Sequence, residues 1–405
     1  MLTIPREELL SIAGEYGLPL FVYDAEFIRR QIRILKESFS ASSPEIRYAC
    51  KALNTIAVLR LIYQNGGGID TVSPGEITMA LQAGVPSDQI SFTPSGVLPS
   101  EYEFAIKKGI RIHVDQLSIL QWIDQHFPGT KVTLRFNPGV KAGSHSKVQV
   151  GSSGSKFGFS AGQVQEVKNW IDQSSLKVGG VHMHLGSDIS ESASFNEAYD
   201  YLLSVAMLWQ DTIDHVDLGG GFKIPYHPED HSIDMAHFGT AVSQRFDDFC
   251  KKLGRKINLV IEPGKFLVSQ SGYFLMETSA VREAGKTDMA FLYSGFNHFV
   301  RPMNYDAYHH LINLSNPNGE WNAYDVVGYL CETDTFALNR ELNSISAGDI
   351  ICLLNAGAYG YTMASNYNGR PRPAEVMYDQ GSTTLIRRAE TIEDLLKTDL
   401  SARIL

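Results

Sequence analysis

Lys51, Asp70, Asp115, Arg135, His184 and Glu262 share one property: each lies in, or at the C-terminal end of, a short β-rich run of the chain. The glycines Gly219, Gly220 and Gly221 end another such run, HVDL. Lys51 follows the apolar stretch Tyr48-Ala49-Cys50. An amine leaving such a stretch is desolvated, which lowers its pKa and favours a nucleophile. The same position also suits a lysine that extends its charge to solvent. Three consecutive glycines after a strand let backbone N–H groups converge on a phosphate. They also suit a tight turn, and they are not the GxGxxG dinucleotide fingerprint. Glu262 closes an apolar strand in Ile261-Glu262-Pro263-Gly264. A buried carboxylate needs a partner, either a protonated ring nitrogen or a structural salt bridge.

Other reactive types carry less. His182 and His184 alternate on one strand and point to one face, as stacking or structural groups. A zinc site would need further ligands at suitable spacing, and none stands out. Cys331-Glu332 follows a β-rich run in the last third of the chain; core packing is the alternative reading for Cys331, as it is for Cys250 and Cys352. His309-His310 reads as surface or packing.

The elements that must position these groups repeat a strand–loop–helix pattern. The runs are 46–51 (IRYACK), 68–73 (GIDTVS), 90–94 (ISFTP), 110–115 (IRIHVD), 132–138 (VTLRFNP), 178–186 (VGGVHMHLG), 215–219 (HVDLG) and 257–263 (INLVIEP). They lack clean polar/apolar alternation, as strands buried on both faces do. Between them, Ile56, Leu59 and Ile62 fall at helical spacing. Ser73-Pro74-Gly75-Glu76 has the cap, the first-turn proline and the glutamate of a helix start, with Gly84 as the stop. Phe238, Val242, Phe246 and Phe249 mark another helix, which Gly254 can close. Eight such units predict a (β/α)8 barrel, whose active groups gather at the C-terminal strand ends. A doubly wound sheet is the alternative, but it would place its glycine-rich turn after the first strand.

From about residue 272 strands follow one another without helices of similar length: 273–281, 290–293, 324–329, 349–354 and 383–388, then a short helix at 391–397. The expected organisation is an α/β barrel over residues 25–270 and an all-β domain over 271–405, with residues 1–24 adding a strand through Leu20-Phe21-Val22-Tyr23. Residues 151–158 (GSSGSKFG) read as a flexible loop.

Composition narrows the class. The 405 residues are 43% hydrophobic and 20% charged, enough for a sizeable core. Lys plus Arg is 35 against 45 for Asp plus Glu, a formal net charge of −10. That balance excludes a general nucleic-acid or acidic-membrane binder. No apolar run approaches the ~20 residues of a membrane span. The opening MLTIPREELLSIAGEYG lacks the hydrophobic core of a signal peptide. Four scattered cysteines form no CxxC pair, so a cytoplasmic location is expected.

The motifs then match a family. YACKA at 48–52, HLGS at 184–187, GGGF at 219–222, EPGK at 262–265, RPMNYDAYH at 301–309, CETD at 331–334 and GAYGYTMASNYNGRPRPAEV at 357–376 stand in one order. The chain resembles, nearly end to end, the fold-type III (alanine racemase-like) pyridoxal-phosphate decarboxylases, in particular their diaminopimelate-decarboxylating branch. The resemblance implies pyridoxal 5'-phosphate as cofactor, an amino acid as substrate and a homodimer with active sites at its interface. By it, Lys51 would hold the cofactor covalently and His184 would stack on its ring. Ser187, Gly219, Gly220 and Gly221 would bind the phosphate, together with Pro263, Gly264, Lys265 and Tyr359 around the cofactor. Glu262 would pair with the ring nitrogen, and Arg301, Tyr305, Glu332 and Tyr359 would hold the substrate. Cys331, from the partner subunit with Glu332, would be the proton donor. Residues 151–159 would form a lid. One position departs: the family's usual Glu-Pro-Gly-Arg has Lys265 here, which keeps the charge but not the two-pronged geometry. Lys265 is therefore a candidate for either the phosphate or the substrate carboxylate. A glutamate for a distal ammonium and an arginine for a distal carboxylate favour diaminopimelate over ornithine, lysine or a conjugated amino acid.

Overall fold

The structure, a computed structural model, describes residues 2–39, 44–140, 155–189, 193–283, 285 and 287–401. The chain divides into two compact units. One comprises residues 29–224 and 231–267; the other comprises 1–28, 225–230 and 268–405.

The first unit is a closed parallel barrel, as its strand pattern predicts. Its strands are Glu45–Ala49, Gly68–Thr71, Ile90–Phe92, Arg111–Val114, Lys131–Asn137, Lys177–His182, His215–Asp217 and Asn258–Ile261. Each pairs in parallel with the next, and the last closes on the first through Val260 opposite Glu45 and Ile261 opposite Ile46. Outside the barrel, helices cover strands buried on nearly every residue, so both faces are apolar and alternation is lost. The helix Pro74–Gln82 begins at Ser73, whose hydroxyl accepts the Glu76 amide at 3.2 Å. Glu76 turns back to the amide of Val72 at 2.7 Å, one residue before the cap. The helix Met235–Leu253 starts on Asp234, which accepts the His237 amide, and stops at Gly254 with φ +74°. Its inner stripe, Phe238, Val242, Phe246 and Phe249, is buried. Each such side chain contributes roughly 1.5–3 kcal/mol against exposure.

The second unit is built on a sheet in which Leu20–Asp24 lies between Gly272–Arg282, antiparallel, and Ala374–Asp379, parallel. All five residues of the Leu20–Asp24 strand are buried, so the opening segment supplies an interior strand. Tyr23 donates to Glu375 at 2.8 Å, and Arg387 pairs with the same buried carboxylate. Three strands of this unit have no counterpart in the sequence reading: Leu311–Asn313, Thr335–Asn343 and Ala374–Asp379. Residues 25–28, 225–230 and 268–270, expected in the barrel domain, group with this unit. The Pro225 carbonyl accepts from Asn355 at 2.7 Å and the Tyr226 hydroxyl accepts from Arg301 at 3.1 Å, which ties residues 225–230 to this unit.

Candidate active site

Lys51 lies in the short 3-10 turn Cys50–Ala52, directly after the first barrel strand. That turn is stitched to the end of the eighth strand: the Ala49 amide donates to the Pro263 carbonyl at 3.1 Å. Gly264 packs against the same turn, its Cβ direction facing the Ala49 and Ala52 methyls at van der Waals distance. Lys51 and the Glu262-Pro263-Gly264 turn are thereby fixed to each other through backbone.

Glu262 is 4% exposed. One of its oxygens, Oε2, lies 3.3 Å from His182 Nε2, and the other, Oε1, is buried with no hydrogen-bond partner among the described residues. Burial raises its pKa, while the charges of Lys51 and Arg135 pull it back down. His184 is driven well below its ordinary pKa by burial, then by Lys51 and Arg135. Its Nδ1 accepts the Gly220 amide at 3.1 Å, which assigns a neutral ring with its proton on Nε2.

The glycine turn is packed as tightly as its sequence suggests. Gly219 and Gly221 have φ of +68° and +102°. A Cβ at Gly220 would sit 1.8 Å from the Glu262 carbonyl oxygen, and one at Gly221 would sit 1.9 Å from that of Gly186. Two of the three amides are already engaged, Gly219 with Asp217 Oδ1 at 2.9 Å and Gly220 with His184. Lys265 is 9% exposed and its Nζ lies 3.0 Å from Asp188 Oδ1. The lysine therefore ties EPGK to the loop that carries Ser187.

The remaining strand-end groups line the same barrel. Asp70 accepts the Thr93 hydroxyl at 2.6 Å, and Arg135 stacks over Phe157 at 4.7 Å. Asp115 accepts the Gly158 amide at 3.3 Å. Of the expected lid, residues 151–154 lie outside the described residues; Phe159 pairs with Phe136 beside the Lys131–Asn137 strand.

The second unit brings together a different set. Arg301 donates to His309 Nε2 at 3.2 Å and to the Tyr226 hydroxyl at 3.1 Å. Its guanidinium lies over the rings of Tyr226, Tyr305 and Tyr359 at 5.3, 5.8 and 5.8 Å. Among the described residues no carboxylate pairs with Arg301, whose hydrogen-bond partners are the neutral His309 and Tyr226. Of the surface and packing readings, His309 takes the second: it is 1% exposed, and with Nδ1 bound to the Leu354 carbonyl at 2.9 Å it also presents Nε2 to Arg301. Burial, then Arg301, lowers its pKa to about 3. Sequence reasoning missed this role, and it missed Tyr226, which reaches Arg301 only because residues 225–230 join the β unit.

Cys331 is exposed, which removes core packing as its explanation. Asn368, in the left-handed conformation at φ +57°, donates to its Sγ at 3.0 Å. Glu332 accepts the Tyr367 hydroxyl. Buried Asp334 braces this turn by accepting the amides of Phe296 and Leu330 at 2.8 and 3.1 Å. Cys250 is half-buried and Cys352 fully buried, consistent with packing.

A buried, unpaired carboxylate oxygen, a glycine cradle and a strand-end lysine in one barrel fit a phosphorylated pyridine aldehyde. Residues 25–269 match the model of the family described as pyridoxal-dependent decarboxylase, pyridoxal binding domain. The chain belongs to the pyridoxal-dependent decarboxylases. It is 37% identical to a diaminopimelate decarboxylase of Methanothermobacter thermautotrophicus, over 100% of this chain and 97% of that one. A crystal structure of a diaminopimelate decarboxylase superposes with a TM-score of 0.92 at 33% identity, covering 98% of this chain and 97% of the other. The Helicobacter pylori diaminopimelate decarboxylase in complex with L-lysine superposes with a TM-score of 0.88 at 28% identity, covering 97% and 98%. The fold and the branch that the motifs imply are both borne out. Among the described residues no helix is long and apolar enough to cross a membrane.

Proposed function

We propose that the chain decarboxylates meso-2,6-diaminopimelate to L-lysine and CO2, as a pyridoxal-phosphate-dependent cytoplasmic homodimer. The cofactor, when bound, supplies an electron sink for the carbon that loses CO2. Lys51 is the amine that attaches it. His184, held neutral by the Gly220 amide, presents a flat uncharged face to the ring. Glu262 would offer its Oε1 to the ring nitrogen, where an ionised carboxylate would keep that nitrogen protonated so that the ring can take up the electrons left when CO2 departs. Ser187 and the glycine turn take the phosphate, with the Gly221 amide as the one of the three that has no acceptor among the described residues. Pro263 and Gly264 hold Glu262 in register with Lys51. Lys265 acts through Asp188 on the Ser187 loop.

Arg301 is the observation that carries the substrate. Its unpaired guanidinium, caged by Tyr226, Tyr305 and Tyr359 and oriented by neutral His309, suits a carboxylate. Diaminopimelate has a carboxylate at the end remote from the reaction; ornithine and lysine do not. Glu332, set by Tyr367, suits the distal ammonium. Cys331, set by Asn368, returns a proton, and it is assigned to the partner subunit's site. The test is a substrate panel with added cofactor. Release of L-lysine from meso-diaminopimelate should exceed CO2 release from ornithine or lysine by at least about 100-fold, the worth of one lost charged pair. Preference for ornithine would overturn the assignment.

A further inference from the structure

The barrel interior contains polar groups that these roles leave unused. Strand register sets His182 opposite Asp217, and Asp217 opposite Val260, two residues before Glu262. Residues two apart on a strand share a face, so His182, Asp217 and Glu262 converge. His113 joins them from the Arg111–Val114 strand. One polar atom from each of the four lies within 4.8 Å of the others, and all four residues are buried.

Counting protons in this cluster leaves a deficit. The Thr93 hydroxyl donates to Asp70 at 2.6 Å and therefore accepts from His113 Nδ1 at 3.1 Å. That places the His113 proton on Nδ1 and leaves Nε2 bare. His182 Nε2 donates to Glu262 Oε2, and Asp217 Oδ1 accepts the Gly219 amide. His113 Nε2, His182 Nδ1, Asp217 Oδ2 and Glu262 Oε1 remain as buried acceptors without a donor among the described residues. Such groups are costly when left unpaired, and two neighbouring buried carboxylates cannot both be ionised cheaply.

We infer that Asp217 carries a proton on Oδ2 and donates it to Glu262, which makes Asp217 a positioning residue that keeps Glu262 ionised and aimed. The inference rests on the reading of Glu262 as the partner of the ring nitrogen. The surroundings decide which of the two holds the proton. Burial and then the Glu262 charge raise Asp217 well above the carboxylate range, with Asp70 adding and Arg111 and the Gly219 amide opposing. Glu262 is also raised by burial, but Lys51, Arg135 and Arg47 all favour its anion. Asp115 lies beside Arg135 and supports that cation.

Infrared difference spectra of the holoenzyme test this directly. Wild type should show a protonated-carboxyl C=O band that shifts in heavy water and is absent from Asp217→Asn. No band in wild type, or a band that persists in Asp217→Asn, would overturn the inference. Cofactor affinity, measured by titrating apoenzyme, gives a second readout. Asn mimics the protonated acid, so Asp217→Asn should stay within about threefold of wild type, whereas Asp217→Ala should lose about tenfold or more. If Asp217→Asn loses as much as Glu262→Gln, the charge sits on Asp217 and the inference fails. It fails also if Asp217→Ala binds normally, or if the holoenzyme holds stoichiometric zinc that uses the same acceptors. A Glu262→Gln variant with wild-type affinity, alongside loss of the band in Asp217→Asn, would reject the ring-nitrogen reading and leave the proton assignment standing.

Discussion

The barrel cluster and the Arg301–Glu332 groups solve opposite electrostatic problems. In the barrel, Asp70, Asp217, Glu262, His113 and His182 are buried and His184 is half-buried, and burial is the largest influence on the pKa of each. Their protonation is set by one another and by Lys51 and Arg135. In the β unit, Glu332 and Cys331 are exposed and Arg301 is half-buried, each held by one or two neutral donors or acceptors. Groups that tune a reacting system need a dry environment, where charges act strongly. Groups that select a substrate must stay open to it and need only be aimed. Substitutions in the first set should therefore change what the protein can do, and those in the second what it does it to.

The contrast orders the expected effects. Lys51→Ala should abolish covalent cofactor attachment and lower kcat by about 10⁴-fold or more, since a residue acting as nucleophile is not replaced by its neighbours. An absorbance and single-turnover comparison checks it. Glu262→Gln keeps the shape but not the charge, and should lower kcat by about 10²–10³-fold with a small change in KM. Arg301→Ala should cut kcat/KM for diaminopimelate by about 10²-fold, and cut much less for substrates that lack the distal carboxylate. Equal losses on both substrate types would break the division of labour between the two regions. Tyr367→Phe removes one hydrogen bond from Glu332 and should raise KM by about 3- to 10-fold with kcat nearly unchanged.

Stability should show the smallest contrast. His309 has its pKa lowered to about 3 and His298 to about 4, in both cases mainly by burial. Below pH 6.5 the unfolded chain binds protons that these folded histidines refuse, so stability is full above that pH and falls as pH drops toward 4. Glu390, lowered to about 2 with Arg372 as its partner, adds a second loss between about pH 4.5 and 2. Urea midpoints measured from pH 7 to 4 should fall less steeply in His298→Asn, where one of the buried histidines is gone.

The fold was legible where its signal is local. All eight barrel runs form strands because strands buried on both faces are short continuous apolar runs between turn residues. Ser73, Gly84 and Gly254 marked helix ends because capping needs particular side chains or a left-handed residue. The strand Thr335–Asn343 (TFALNRELN) escaped: its mixed, partly exposed sequence reads as easily as a helix. The site was legible through residues that end strands, and Glu262 stood out as a carboxylate closing an apolar run. Asp217 carries the same signal in HVDL, but the adjacent glycines drew the reading away from it. His113 and Tyr226 gave no local sign, because their partners come from distant segments and only the folded chain brings them together.

Lys51 should be the amine that carries the cofactor. Holoenzyme reduced with borohydride and digested should yield one pyridoxyl-labelled peptide, spanning YACKA with the label on Lys51. A label on any other lysine, or none on a protein that still consumes meso-diaminopimelate, would contradict it.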